Sequence, residues 1–128
     1  MSGTTTAHVD APAWLVDFYH AVDALDLEGT LAGFAPDATM RYGSMEPMVG
    51  REAVRGGLTW LYTYYRGIRH EFRHVWVSGG TVVLEATVTY GHPDGREVSV
   101  PVVSILEHRD GIVDDLRIFL DPSPIEVG

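Results

Sequence analysis

The sequence predicts an α+β fold in which helices pack on one face of an antiparallel sheet, and three observations predict it. Apolar residues recur at helical spacing in the first half of the chain and switch to a period of two from Ile68 onward. The later segments are joined by SGG, GHPDG and RDG, all of them hairpin chemistry. No repeat, low-complexity linker or shift in composition divides the 128 residues, a length that one hydrophobic core can serve.

The elements follow in order. The polar stretch 1–11 lacks the basic and apolar regions of a signal peptide and reads as a flexible tail, which leaves one domain over 12–128. Pro12 suits an early helical position, and Trp14, Leu15, Phe18, Val22 and Leu25 then recur at helical spacing. A short second helix is expected in DLEGTLAGFAP, with Asp26 as its cap and Pro36 just past its end. DATMRYGSMEPMVG holds a short strand and a loop broken by Gly43, Pro47 and Gly50. REAVRGGLTWLYTYYRG is a third helix, in which the Gly56–Gly57 pair costs about 1 kcal/mol per Gly relative to Ala and implies close packing or a bend. IRHEFRHVWV, TVVLEATVTY, REVSVPVVSILEH and GIVDDLRIFLD are four long strands, with Gly80, Gly95 and Gly111 expected to supply positive φ in the turns.

Composition narrows the functional classes. Hydrophobic residues at 45% and charged residues at 21% describe a folded globular chain, not a disordered one. Eighteen acidic residues against nine basic ones, all arginine, leave a net charge of −9. Nucleic acid and anionic membrane are therefore not expected partners, since both require clustered cations. The chain has no cysteine, which excludes disulfides, thiolate nucleophiles and thiolate metal sites. No apolar run approaches the ~20 residues of a membrane span, and a cytoplasmic location is expected.

His70-Glu71-Phe72-Arg73-His74 matches H-E-x-x-H, the pattern of zinc metalloproteases. That chemistry needs both histidines one helical turn apart, so that two nitrogens approach one ion at about 2 Å. Here Gly67 ends the preceding helix and a β-branched, aromatic run follows. On a strand the two histidines share a face but stand about 13 Å apart at ~3.3 Å per residue. No metal site is expected, and Asp114–Asp115 and Asp26/Glu28 read as solvated charge.

The segments DLEGTLAGFAPDATMRYGSMEPMVGREAV, RHEFRHVWVSGGTVVLEATVTY, DGREVSVPVVSIL and DGIVDDLRIFLDPSPI resemble the nuclear transport factor 2-like superfamily, and within it the SnoaL-like polyketide cyclase and ketosteroid isomerase-like group. The resemblance covers residues 12 to 125. It implies a curved antiparallel sheet wrapped as a cone around three helices and an apolar pocket, in a homodimer. It also implies where chemistry would sit. Against ketosteroid isomerase, Tyr42 stands at the position of the general-base carboxylate, Phe18 with adjacent Tyr19 at that of the oxyanion tyrosine, and Val103 at that of the protonated acid. The last-strand acid of limonene epoxide hydrolase falls near Ile118. Neither carboxylate apparatus is reproduced here.

Within that architecture, strand alternation assigns Met40 and Tyr42 to the pocket face. The same reasoning assigns His70, Phe72, His74 and Trp76, then Leu84, Ala86, Val88 and Tyr90, then Leu116, Ile118 and Leu120. Tyr42 and His70 are the expected acid and base, with Tyr90 in support, because a Tyr–His set can move protons near neutral pH and steady a developing oxyanion. Phe18, Tyr19, Met40, Trp60, Phe72, His74, Leu84, Val88, Val103 and Ile118 are the expected ligand contacts. Arg117 and Asp121 read as a structural or dimer-interface charge pair. The expected function is cofactor-independent acid–base cyclisation, isomerisation or dehydration of a small apolar, aromatic or polyketide-like metabolite. Two alternatives stay open at this point: an epoxide hydrolase or epoxide-opening cyclase, and a non-catalytic protein that binds a hydrophobic small molecule. A dimeric scaffold acting through the outer sheet face is a third.

Overall fold

A computed structural model describes residues 10–126; residues 1–9 of the expected tail lie outside the described residues. The order is α1 (Ala13–Asp23), α2 (Leu27–Leu31), β1 (Phe34–Tyr42), β2 (Met48–Val49), α3 (Arg51–Tyr64), β3 (Gly67–Ser78), β4 (Thr81–Gly91), β5 (Glu97–Arg109), β6 (Ile112–Phe119) and α4 (Ser123–Glu126). The strands form one open, curved sheet in the order β2-β1-β6-β5-β4-β3. All neighbours are antiparallel except β1 and β6, which run parallel. Among the described residues no helix is long and apolar enough to cross a membrane.

Period-two alternation sets which face is buried. On β4, Val82, Leu84, Ala86, Val88 and Tyr90 point inward; on β5, Val100, Val102, Ser104 and Leu106 do the same. α1 lies against β3, and α3 against β1, closing the concave side with Leu15, Val54 and Leu58. Asp26 caps α2 as expected, accepting from the Gly29 N–H at 3.0 Å.

Several details depart from the sequence expectations. Helix α2 ends at Leu31, so Pro36 falls inside β1. It is tolerated there because the pairing with β6 is interrupted between Phe34 and Thr39, where a residue without an N–H forfeits no ladder bond. The loop after β1 contains β2, which pairs Val49 with Thr39, and the chain closes with α4, whose Ile125 is buried. In the first hairpin it is Gly79 (φ 57°), not Gly80, that takes positive φ; Gly95 and Gly111 do so as expected. Of the helical glycine pair, Gly57 is the packed one: a Cβ there would run into Met48 Sδ, whereas Gly56 faces open space. Arg117 does not pair with Asp121. It forms ion pairs with Glu107 and Asp115, each at 2.8 Å, while Asp121 accepts from the Ser123 N–H and hydroxyl.

The largest consequence comes from β3. Phe72 pairs with Ala86 and His74 with Glu85, so Arg73 is an extra residue, a β-bulge. Beyond it the alternation inverts. His74 and Trp76 turn to the outer face, and Val75 takes the inward place. His70 and His74 therefore lie on opposite faces of the sheet, and the H-E-x-x-H run cannot converge on one ion.

Candidate active site

The concave side encloses a cavity of ≈ 60 Å³. Its wall is mostly apolar, with contributions from Phe18, Phe34, Met40, Leu58, Val88 and Ile118. Six polar side chains reach it: Tyr19, Thr30, Tyr42, His70, Tyr90 and Ser104. Among the described residues no arginine lines it.

Three of the six are occupied by one another or by the scaffold. The Thr30 hydroxyl donates to the Asp26 carbonyl at 2.8 Å and shares a 2.9 Å bond with the Tyr62 hydroxyl. The Tyr19 hydroxyl is hydrogen-bonded to Ser104. One bond between two hydroxyls leaves the Tyr19–Ser104 pair an O–H of its own, and with it Tyr42, Tyr90 and His70 are the chemistry left for a ligand. The Tyr42 and Tyr90 hydroxyls lie 3.0 Å apart. Two hydroxyls hold two protons and one bond between them consumes one, so the pair keeps a single O–H to donate. Burial pushes both tyrosines above the ordinary 10.0; the bond from Tyr90 pulls Tyr42 back somewhat, whereas the neighbouring Tyr42 raises Tyr90 further. Both stay protonated at neutral pH and act as donors, not phenolates.

His70 lines the same cavity and lies against the end of α1. Its Nδ1 lies 2.7 Å from Asp23 Oδ1, and its backbone N–H donates to Asp23 Oδ2 at 2.8 Å. Both side chains are nearly closed off, at 12% and 6% exposure. The Tyr19 ring flanks the imidazole, with centroids 4.6 Å apart. Among the described residues, no cluster of three or more His, Asp or Glu is placed to hold a metal ion.

The structure thus brings Tyr42, His70, Tyr90, Phe18, Tyr19, Met40, Val88 and Ile118 to one cavity. It places the other expected contacts elsewhere. His74 is on the outer face, its side chain 66% exposed, bonded to Glu85 at 2.8 Å and stacked on Trp76, because of the bulge at Arg73. Val103 also faces outward, since its neighbours Val102 and Ser104 hold the inward positions and a one-residue offset changes the face. Trp60 is on the outer side of α3, 61% exposed and stacked on Tyr64. Phe72 and Leu84 are buried but fill the core beside the cavity without lining it. Asp23, Thr30 and Ser104 are the polar residues that sequence reasoning missed. A signal for Asp23 existed: it lies four residues after Tyr19, on the same face of α1.

The comparisons with known proteins agree with this architecture. The family described as SnoaL-like domain matches residues 15–115. Epoxide hydrolase LasB of Streptomyces lasalocidi is 35% identical over 112 residues, covering 80% of this chain and 38% of that protein, so the chain spans well under half the length of this curated relative. A hypothetical protein with a ketosteroid isomerase-like protein fold from Catenulispora acidiphila, in complex with trimethylamine, superposes with a TM-score of 0.82 at 17% identity, over 91% of each chain. SalBIII, an epoxide hydrolase/cyclase-like enzyme with a role in pyran ring formation in the polyether salinomycin, superposes with a TM-score of 0.77 at 18% identity, over 87% of this chain and 90% of its own.

Proposed function

From the premise that the chain belongs to the SnoaL-like domain family, we propose that its cavity is an acid–base site that opens or closes a ring in a neutral, apolar, oxygen-bearing metabolite. Within that class we favour intramolecular epoxide opening by a substrate hydroxyl. One observation carries the reading: among the described residues, one cavity is lined both by the Tyr42–Tyr90 pair, which keeps an O–H to donate, and by His70, the nitrogen base of the wall. The similarity to epoxide hydrolase LasB supports it.

The step balances without an added reagent. The substrate hydroxyl gives its proton to His70 as its oxygen attacks an epoxide carbon. The carbon–oxygen bond of the epoxide breaks, and that oxygen takes a proton from the tyrosine pair. The proton held by His70 then restores the tyrosine by way of solvent. Product and substrate are isomers, so the reaction requires no cofactor. A wall without arginine suits a neutral substrate, and a cavity of ≈ 60 Å³ suits the reacting segment with the remainder of the molecule at the mouth. The cytoplasmic location and the homodimer expected from the sequence belong to this proposal. The exposed Trp76, Val103 and Phe119 on the outer sheet face support the dimer, which sedimentation would measure.

The test uses an aliphatic epoxy alcohol with the hydroxyl positioned to form a five- or six-membered ether. The wild type is expected to convert it to the cyclic ether of equal mass. Tyr42→Phe and His70→Ala are each expected to lose roughly 10²–10⁴-fold in rate with the fold retained. Release of a diol would move the assignment to hydrolysis. Saturable binding of the probe with no conversion would instead support the second reading, a carrier of hydrophobic molecules, which the largely apolar wall favours.

A further inference from the structure

We propose that Asp23 is the positioning residue that fixes the tautomer of His70, with the proton on Nδ1 and the bare Nε2 presented to the cavity as base; this rests on the acid–base reading above. β3 is an outermost strand of the sheet. An edge strand turns alternate N–H groups away from its only neighbour, and such a group needs another acceptor. The His70 N–H finds it in Asp23 Oδ2 at 2.8 Å. The second oxygen, Oδ1, lies 2.7 Å from His70 Nδ1. A carboxylate accepts and does not donate, so the ring nitrogen facing it carries the proton. The neutral imidazole has one N–H, and Nε2 is left as the lone-pair nitrogen.

The cost of this arrangement points to its purpose. Asp23 is the last residue of α1, where the helix dipole disfavours an anion, and its side chain is only 6% exposed. Tyr19, one turn earlier, packs its ring against the imidazole and limits rotation. The carboxylate therefore gives up solvation and a favourable helix position to hold one histidine at two points, backbone and ring.

The two-point contact makes Asp23→Asn informative. Asparagine has one acceptor oxygen and one donor NH₂. The backbone N–H of His70 cannot become an acceptor, so the amide oxygen must serve it, and the NH₂ must face Nδ1. The ring then has to move its proton to Nε2, where it blocks base function while the shape of the site is kept.

The experiment is nitrogen-15 NMR of the His70 ring in the full chain, in wild type and Asp23→Asn, with thermal melts as a fold control and the epoxy alcohol as kinetic probe. The wild type is expected to show a protonated Nδ1 and a bare Nε2 at mildly alkaline pH. Asp23→Asn is expected to show the reverse tautomer, with kcat lowered roughly 10²–10⁴-fold and KM near the wild-type value. Asp23→Glu, which restores two acceptor oxygens, is expected to recover the Nδ1–H tautomer and part of kcat. A wild-type ring protonated on Nε2, alone or together with Nδ1, overturns the proposal, and does so even if the variants fail to fold. An unchanged tautomer in a folded Asp23→Asn overturns it equally. The NMR result does not depend on turnover. The expected tautomer with no conversion of the probe would therefore count against the acid–base reading and leave the role of Asp23 standing.

Discussion

At the scale of single residues, His70 and His74 show how little separates a cavity group from a surface one. Both sit on β3, four residues apart, and one inserted residue, Arg73, sends them to opposite faces. His74→Ala is accordingly expected to leave turnover of an epoxy alcohol unchanged within about twofold. A large loss on the same assay would contradict the placement of His74 outside the site. Tyr42, His70 and Tyr90 were legible because each follows the local period from an apolar neighbour: Met40, Ile68 and Val88. Asp23 and Ser104 were not. Helical spacing from Tyr19 puts Asp23 on the buried face of α1, but its bonds to His70 appear only when β3 is brought against α1. Val103 and Ser104 are neighbours on β5, and a difference of one position on a strand reverses the face.

Among the elements, the joint between α2 and β1 positions the cavity wall. Gly33 stands where an added Cβ would lie 2.7 Å from the Phe18 ring, and Phe18 lines the cavity. Gly33→Ala is expected to destabilise the fold by about 1–3 kcal/mol through overpacking and to weaken binding of an apolar probe. Chemical denaturation and probe titration read the two effects, and an unchanged denaturation midpoint would contradict the contact. Element types and hairpins were legible from periodicity and turn chemistry. The parallel pairing of β1 with β6, the two-residue β2 and the bulge in β3 were not, because each depends on a partner distant in sequence and leaves no period of its own.

For the molecule as a whole, burial of tyrosine on the concave side couples folding to alkaline pH. Burial pushes Tyr62 and Tyr65 up to about 12, and Tyr19 and Tyr90 higher still, against the ordinary 10.0 of an unfolded chain. Above pH 10 the unfolded chain loses tyrosine protons that the folded state keeps, so stability is full below pH 10 and declines as pH rises through about 12. Phenolate absorbance is expected to rise late and together with loss of fold. An early rise, complete near pH 10 in the folded protein, would contradict the buried hydroxyl network. Of these four, Tyr19 and Tyr90 line the cavity, whose wall is otherwise mostly apolar.

The most direct test of the central claim, that His70 and the Tyr42–Tyr90 pair serve one proton-transfer reaction, is a double-mutant cycle on kcat for ring closure of an epoxy alcohol. His70→Ala and Tyr42→Phe are each expected to reduce kcat roughly 10²–10⁴-fold, with the double variant little worse than the weaker single. Wild-type turnover in either single variant would contradict the account.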